Sequence, residues 1–522
     1  MTRSRIALAV LAVAALVAAS CGPTVQHPSS TSEGSGLAAP GSSGAPVAPG
    51  TTTSGGKTGP SGTIGGGTTG GGSTGGGTTT TGGSGTTGGG SLPTGSGGGK
   101  HVAAPPSVPG VTDTTIYIAS YYNKNQGAGN SALGVGGLNQ GDARKPQNVM
   151  IDWVNSHGGV VGRKLKPIYY GFDASGTGPS SDQQDQAACA KYTQDNKVFA
   201  ILDGGSGGSG IMDECALKAG AIDFGQYGIP SSYTKYPDRV DIDTLNQVRA
   251  QDVLIDGLAQ MGYFDPGSKI GVITWDQPDY KEAITAGLIP ALKRHGLSLG
   301  TPPVYVAVPQ TLQDFGAGSA AINNAVLKFS TLGIDHVMIA DGPAGIFTGG
   351  GLSIEFLKRA ESQQYYPRYG FDDSNLPIAL KALGVLSNRQ AQGSLYVNWT
   401  DLGASYEQGY HPNRNGQTCT KIMRKHGVDM SNANSQVAAL LACTDMWFLQ
   451  AVGTELSALN LSLTANNFMT AVSHFGYSYL STTAYSNYFS AHQHDGIAGV
   501  RHARFDSSSN TYKWIGTIYK VG

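Results

Sequence analysis

Gly205-Ser206-Gly207-Gly208-Ser209-Gly210 satisfies G-x-G-x-x-G between an apolar run and a helix-like one. N–H groups at such a helix start bind an anion, either a dinucleotide phosphate or a carboxylate. A loop shaped by backbone fit alone is the plainer reading in a chain with 78 glycines. His492-Gln493-His494-Asp495 would set two imidazoles on one face of a strand, although a surface turn into Asp495-Gly496 is the simpler account. Asp372-Asp373 offers paired carboxylates, but adjacent strand residues point to opposite faces and do not cooperate in acid–base work. No C-x-x-C or H-x-x-x-H spacing occurs, so the residues indicate neither a metal site nor a cofactor. A binding protein is expected, not an enzyme.

Five cysteines are present, and four of them, Cys189, Cys215, Cys419 and Cys443, lie in the part of the chain with globular texture. Cys189 and Cys215 fall on the helices before and after the strand at Val198–Asp203, and crossover helices pack side by side. Cys419 and Cys443 fall on two further successive helices. Local pairing, Cys189 with Cys215 and Cys419 with Cys443, is therefore expected. Each closed loop of about 25 residues stabilises by roughly 3 kcal/mol in the chain-entropy model. Pairing leaves no thiolate for catalysis.

The fifth, Cys21, belongs to a different segment. Arg3 and Arg5 precede an apolar run from Ile6 to Ala19, then Ser20 and Cys21. A basic start, a short apolar stretch and small residues describe an export signal over residues 1–20. Ala18-Ala19-Ser20-Cys21 resembles a bacterial lipobox, in which the cysteine is acylated after cleavage. Residues 21–108 are then almost wholly Gly, Ser, Thr and Pro, too poor in apolar surface to offset the entropy of ordering them. Such a chain reaches about 50 Å and acts as a tether. The expected location is the outer face of the cytoplasmic membrane, held by lipid.

Charge excludes one large class of partner. Lys+Arg 34 against Asp+Glu 35 gives a net −1, so no basic field exists to collect nucleic acid. The disulfide frame matches an oxidising compartment.

Residues 109–522 carry an alternating pattern. Thr115–Ser120, Leu165–Tyr170, Val198–Asp203 and Ala221–Phe224 read as buried strands separated by helices over Gln147–His157, Gln183–Asn196 and Met212–Ala219. The pattern restarts with a helix at Gln251–Gln260. Strands then follow at Lys269–Thr274, Pro303–Ala307 and His336–Ala340, with helices at Tyr280–His295 and Ala317–Leu332 between them. Strands joined by single helices form right-handed units and parallel sheets. About 410 residues exceed one core, so two lobes are expected. The fold class is α/β, two Rossmann-like lobes joined by a hinge, with ligands at the carboxyl ends of the strands.

Ile116–Ala119, then Asp152-Trp153-Val154-Asn155-Ser156-His157-Gly158-Gly159-Val160-Val161-Gly162-Arg163-Lys164, then Tyr170-Gly171-Phe172-Asp173-Ala174-Ser175, resemble type I periplasmic binding proteins. The branch they resemble is the leucine/branched-chain amino-acid type of ABC importer. Lys269–Thr274 with Asp279-Tyr280, and Gly333–Met338, look like the opening and later strands of its second lobe. The resemblance implies a first lobe at 111–247 and 400–478 and a second at 248–399 and 479–522. It implies capture of a small polar organic solute, an amino acid or related compound, and delivery to a membrane permease. A sensory module presenting its solute to a receptor is the other function this fold serves. The first-lobe carboxylate role falls to Ser206 and Ser209, and the ammonium role to Asp372 in Tyr369-Gly370-Phe371-Asp372. Tyr280 would cover the ligand, and Tyr121 or Tyr122 would face it. Ser120-Tyr121-Tyr122-Asn123 departs from the family's opening loop "P-L-[ST]-G".

Overall fold

Apolar runs bounded by turn residues become strands, and the amphipathic segments between them become the helices that cover both faces. The computed structural model describes residues 98–132, 134–136, 141–202, 209–343, 351–406 and 410–521. The export signal, Cys21, the tether up to residue 97 and Ser206 lie outside the described residues.

The first sheet contains β1 (Thr115–Lys124), β2 (Lys164–Asp173), β3 (Ala200–Leu202), β4 (Ile222–Phe224) and β5 (Arg239–Val240). Its order is β2-β1-β3-β4-β5, and every pair is parallel. The second contains β6 (Ile270–Trp275), β7 (Val304–Val306), β8 (His336–Ala340), β9 (Arg368–Asp372) and β10 (Leu395–Asn398), followed by β11 (Gly499–Asp506) and β12 (Thr511–Lys520). Its order, β12-β11-β10-β9-β8-β6-β7, repeats the first winding and adds an antiparallel pair at one edge. In such sheets the winding reverses beside the opening strand, and the crevice there takes ligands. Here those points flank β1 and β6.

Each sheet is buried on both faces by apolar side chains. In the first lobe Ile116, Ile118, Ala200, Ile222 and Phe224 pack against helix Ala433–Ala458 through Leu440, Trp447 and Phe448. That helix is long and apolar enough to cross a membrane, yet 67% of its most apolar window is buried in the protein. It is a core helix. The second sheet is flanked by one cluster around Phe329, Phe356 and Tyr369 and another around Leu254, Leu258 and Val272.

Both disulfides expected from the helix spacing are present. Cys189–Cys215 joins helices Ser181–Cys189 and Ile211–Ala219, and Cys419–Cys443 joins Arg414–Lys425 to Ala433–Ala458. The Cα atoms lie 5.8 and 6.1 Å apart, the separation that side-by-side helices supply.

Two local expectations need correction. Composition places residues up to 108 in the tether, but Gly98–Val108 packs on the first lobe. Val102, Ala104 and Val108 are partly buried against its core. Arg163 Nη1 donates to Val102 O (2.9 Å), and Ser457 Oγ to Lys100 O (2.8 Å). A Cβ at Gly98 would sit 2.4 Å from Gly159 O, so only glycine fits this approach. The segment expected as one helix over Tyr280–His295 is helix Pro278–Glu282, a π-helical turn Ala283–Leu288, and helix Ile289–Arg294. Pro290 has no N–H to give the preceding turn, and a wider turn lets Gly287 pass close to the Val248 carbonyl.

Candidate solute-binding cleft

At the switch point of the second sheet, β6 ends in Trp275 and β8 runs into Asp341. Trp275 Nε1 donates to Asp341 Oδ1 (3.2 Å), as does Gly342 N (2.8 Å). Ser353 N and Oγ both donate to Oδ2 at 2.8 Å. All four donors hold a buried carboxylate at the start of helix Gly351–Ser362. Burial raises its pKa, against those hydrogen bonds.

The next strand end, on β9, supplies Asp372 and Asp373. Asp373 is saturated: Tyr396 Oη and Asn398 Nδ2 donate to Oδ1, and Trp399 N (3.0 Å), Thr400 N (2.6 Å) and Thr400 Oγ1 (3.0 Å) to Oδ2. Asp372 is served less evenly. Ser374 N (2.9 Å) and Oγ donate to Oδ1, making a tight turn, while Oδ2 has only Gln251 Nε2 at 3.4 Å. Asp372 and Gln251 are each 1% exposed, and Gln251 Oε1 has no donor. Burial pushes the Asp372 pKa up to about 7 and that of Asp373 up to about 6. Turning the Gln251 amide over would set two acceptors together, so the long bond is the better arrangement.

Tyr280 lies beside this group. It is buried, and its hydroxyl donates to Pro343 O (3.0 Å). A Cβ on Gly342 would meet that hydroxyl at 2.6 Å and Gln247 Nε2 at 3.2 Å, so the strand β8 exit needs glycine, which also holds φ +157 there.

The first lobe presents different chemistry. Ser209 is half-buried, and its Oγ accepts from Ile211 N (3.4 Å) at the start of helix Ile211–Ala219. Beneath that helix, Arg239 bridges two carboxylates. Its Nη1 pairs with Asp213, its Nε with Asp241 Oδ1 (3.0 Å), and its Nη2 donates to Gln226 O (2.9 Å). Asp241 Oδ2 also accepts from Gly228 N (2.6 Å) and Tyr233 Oη (2.8 Å). Asp223 on β4 is 1% exposed, and burial followed by Asp213 pushes its pKa well up. Asp279, from the second lobe, is pushed up to about 6 by burial, against the pull of Arg239.

Several contacts join the lobes along this side. Ser231 Oγ donates to Glu282 Oε2 (2.8 Å). Ser181 N donates to Gln310 O (3.2 Å), Asp182 N to Gln310 Oε1 (3.2 Å), and Leu312 N to Gly176 O (2.8 Å). Val135, from the segment after β1, is buried in a second-lobe apolar cluster.

Of the residues expected from sequence, Asp372 and Tyr280 sit on one wall, Ser209 lies just before a first-lobe helix whose N-cap is Gly210, and Ser206 lies outside the described residues. Tyr121 and Tyr122 are not brought to that wall. The reason is strand length: β1 runs on to Lys124, pairing Tyr121 with Tyr170 and Tyr122 with Gly171. A paired strand sends alternate side chains into its two helix layers. Tyr121 therefore donates to Asp185 Oδ1 (2.7 Å), and Tyr122 lies under the Arg144 guanidinium, 3.9 Å from the ring centroid. Sequence reading missed Asp341, Gln251 and Arg239. Asp341 was within reach, because Ala340-Asp341-Gly342-Pro343 marks a strand end. Gln251 and Arg239 carry no local signal.

No family model and no curated protein sequence matches the chain. Solved structures do. The fatty acid ABC transporter substrate-binding protein from Thermomonospora curvata is 14% identical with TM-score 0.52, covering 80% of this chain and 95% of its own. A branched-chain amino acid ABC transporter protein from Thermus thermophilus with bound valine is 13% identical with TM-score 0.51, covering 78% and 96%. A solute binding protein of an ABC transporter from Rhodopseudomonas palustris HaA2, in complex with p-hydroxybenzoic acid, is 14% identical with TM-score 0.53, covering 78% and 97%. Two identically wound sheets, strand ends that carry the inward polar groups, and these likenesses over most of each chain assign the fold of type I periplasmic binding proteins.

Proposed function

We propose that the protein is an extracytoplasmic solute-binding lipoprotein that captures a small polar organic solute between its lobes and delivers it to an ABC importer. The observation that carries this reading is the wall of buried, hydrogen-bonded carboxylates at the ends of β8 and β9. The first lobe touches the second through Ser231–Glu282 and Gln310. Lobes of this kind close around a solute by hinge motion. The acidic wall favours an amino acid or related amine. No reaction or cofactor is required.

A solute that binds only the folded protein stabilises it by about 2.7 kcal/mol at a hundredfold excess over its dissociation constant. A thermal-shift screen against a broad metabolite panel, with native mass spectrometry for co-purified solute, is expected to identify at least one binder. A panel that shifts nothing, with no co-purified mass, would defeat capture.

The anchor is a separate proposal. Cys21 carries diacylglycerol, and the Gly/Ser/Thr tether lets the folded part work at a distance from the membrane. Two or more acyl chains anchor stably where one does not. Cys21→Ala should therefore shift the protein from the membrane to the soluble or precursor fraction while the lobes stay folded. Unchanged membrane partition with normal processing is the contrary result.

A further inference from the structure

Two helix starts meet across the lobes, and each is capped by the other lobe. Helix Ser181–Cys189 follows β2 and helix Leu312–Leu332 follows β7. Both strands are sheet edges, and the chain crosses between lobes from the other side of each sheet, after β5 and after β10. The first N–H groups of a helix have no partner inside it. Each helix supplies its own turn for the third: Gln183 N donates to Ser180 Oγ (3.2 Å), and Asp314 N to Thr311 Oγ1 (3.3 Å). The earlier ones reach across. Ser181 N donates to Gln310 O (3.2 Å), Asp182 N to Gln310 Oε1 (3.2 Å), and Leu312 N returns the bond to Gly176 O (2.8 Å). Ser181 Oγ adds a contact to Gln310 O (3.4 Å), and Ser181 is 0% exposed. Gly176 holds φ +69, and a Cβ there would sit 2.7 Å from Leu312 Cγ. Val135, also of the first lobe, is buried nearby in sequence to β1 among second-lobe side chains that include Trp275 and Ile354.

We propose that this reciprocal capping is a latch on the cleft: Gln310 and Gly176 set how long the lobes stay closed, and so the affinity and release rate of the solute, without touching it. The purpose of the latch rests on the capture reading above, while its bonds belong to the two lobes alone. Parting the lobes leaves three N–H groups to water and uncovers Ser181. At the edges away from the crossovers a hinge rotation separates the lobes most, so contacts there break first and resist opening with the longest lever. The apparent dissociation constant is the intrinsic one divided by the closed, binding-competent fraction. A latch built from protein groups therefore scales affinity alike for every solute, whereas the strand-end wall chooses among solutes. Gln310 and Gly176 are positioning residues in this sense.

The test is amide hydrogen exchange, read by mass spectrometry on full-length protein in detergent with no solute added. Gln310→Ala removes only the Oε1 acceptor and disturbs no first-lobe residue. Exchange in the first-lobe segment 177–185 should nevertheless quicken about threefold to tenfold. Gly176→Asn tolerates the left-handed backbone but does not fit beside Leu312, so segments 177–185 and 308–316 should both quicken, by about tenfold or more. Strand β3 should exchange as in the parent, which separates an opened latch from an unfolded lobe. If Gly176→Asn loosens β3 as well, Gln310→Ala alone decides. Parent-like exchange at 177–185 in Gln310→Ala, or quickening there that extends to β3, overturns the latch. Any binder that the metabolite panel yields should leave Gln310→Ala faster in the same proportion, and an unchanged dissociation rate overturns its control of release. The exchange result needs no solute, so it stands or falls apart from the capture reading, which fails only on the panel.

Discussion

Arg239→Met is expected to destabilise the protein by about 3–5 kcal/mol, because it removes one partner from a buried ion pair. The guanidinium is 7% exposed and stands between Asp213 and Asp241, with Asp223 close by. Burial alone would lower its pKa, yet Asp241, Asp213 and Asp223 outweigh burial and hold it well above the usual value. Methionine fills much of the same volume, so the loss measures charge more than packing. Thermal melting at pH 7.5 should show a clearly lower midpoint. The deficit should shrink near pH 4.5, where carboxylates stripped of their counter-charge take up protons in the folded protein. A midpoint equal to the parent's at pH 7.5 would show that the cluster is not a keystone. Asp279 of the second lobe faces the same guanidinium, so the variant should also loosen the lobe contact at Ser231–Glu282.

The second expectation concerns Asp372→Asn, for which binding and stability should move in different directions. A charge-assisted hydrogen bond to an ammonium contributes roughly 1.5–3 kcal/mol, so an amine-bearing solute should bind about tenfold or more weakly. Stability should not fall with it. The folded protein holds the Asp372 proton up to about pH 7, whereas an unfolded aspartate releases it near 3.8. Between those values the native state binds more protons, so wild-type stability declines as pH rises through that window. Above it the ionised, buried carboxylate carries its full cost, on the order of 4 kcal/mol. Asparagine cannot ionise, and its Oδ1 still accepts from Ser374. At pH 8 the variant should melt no lower than the parent, and on acidification to pH 5 the parent should gain more stability than the variant, because Asp373 and Asp279, also pushed up to about 6, contribute to both. Equal affinity in calorimetry would reduce Asp372 to a turn residue held by Ser374.

Strands β1–β4 and β6–β8, the helices read between them and both disulfides were legible in the sequence for one reason: each depends on residues near one another in the chain. The apolar run Ile270–Thr274 is buried whatever lies elsewhere, and Cys419 and Cys443 sit 24 residues apart on helices that must pack together. The repeated alternation of strand and helix, with about 410 residues to cover, determines two lobes in the same way. Even the strand-end position of Asp372 follows from Tyr369-Gly370-Phe371 before it.

What Asp372 faces does not follow, and only the tertiary structure decided it. Its partner Gln251 is 121 residues away, and Asp495, which meets Arg249, is 246 away. No periodicity records such a meeting, because it depends on how two layers of helix pack and not on either helix alone. Strand length decided the fate of Tyr121 and Tyr122 in a similar way. A few more paired residues on β1 turned an expected opening loop into a strand, and the strand's alternation aimed both rings into helix layers. Tyr227 is the clearest instance. Its left-handed backbone is a property of the turn between β4 and helix Pro230–Lys235, while its packing on the apolar cluster around Leu254 and Leu258 depends on how the two lobes meet. Local chemistry chose the elements, and packing between distant elements chose which side chains meet in the cleft.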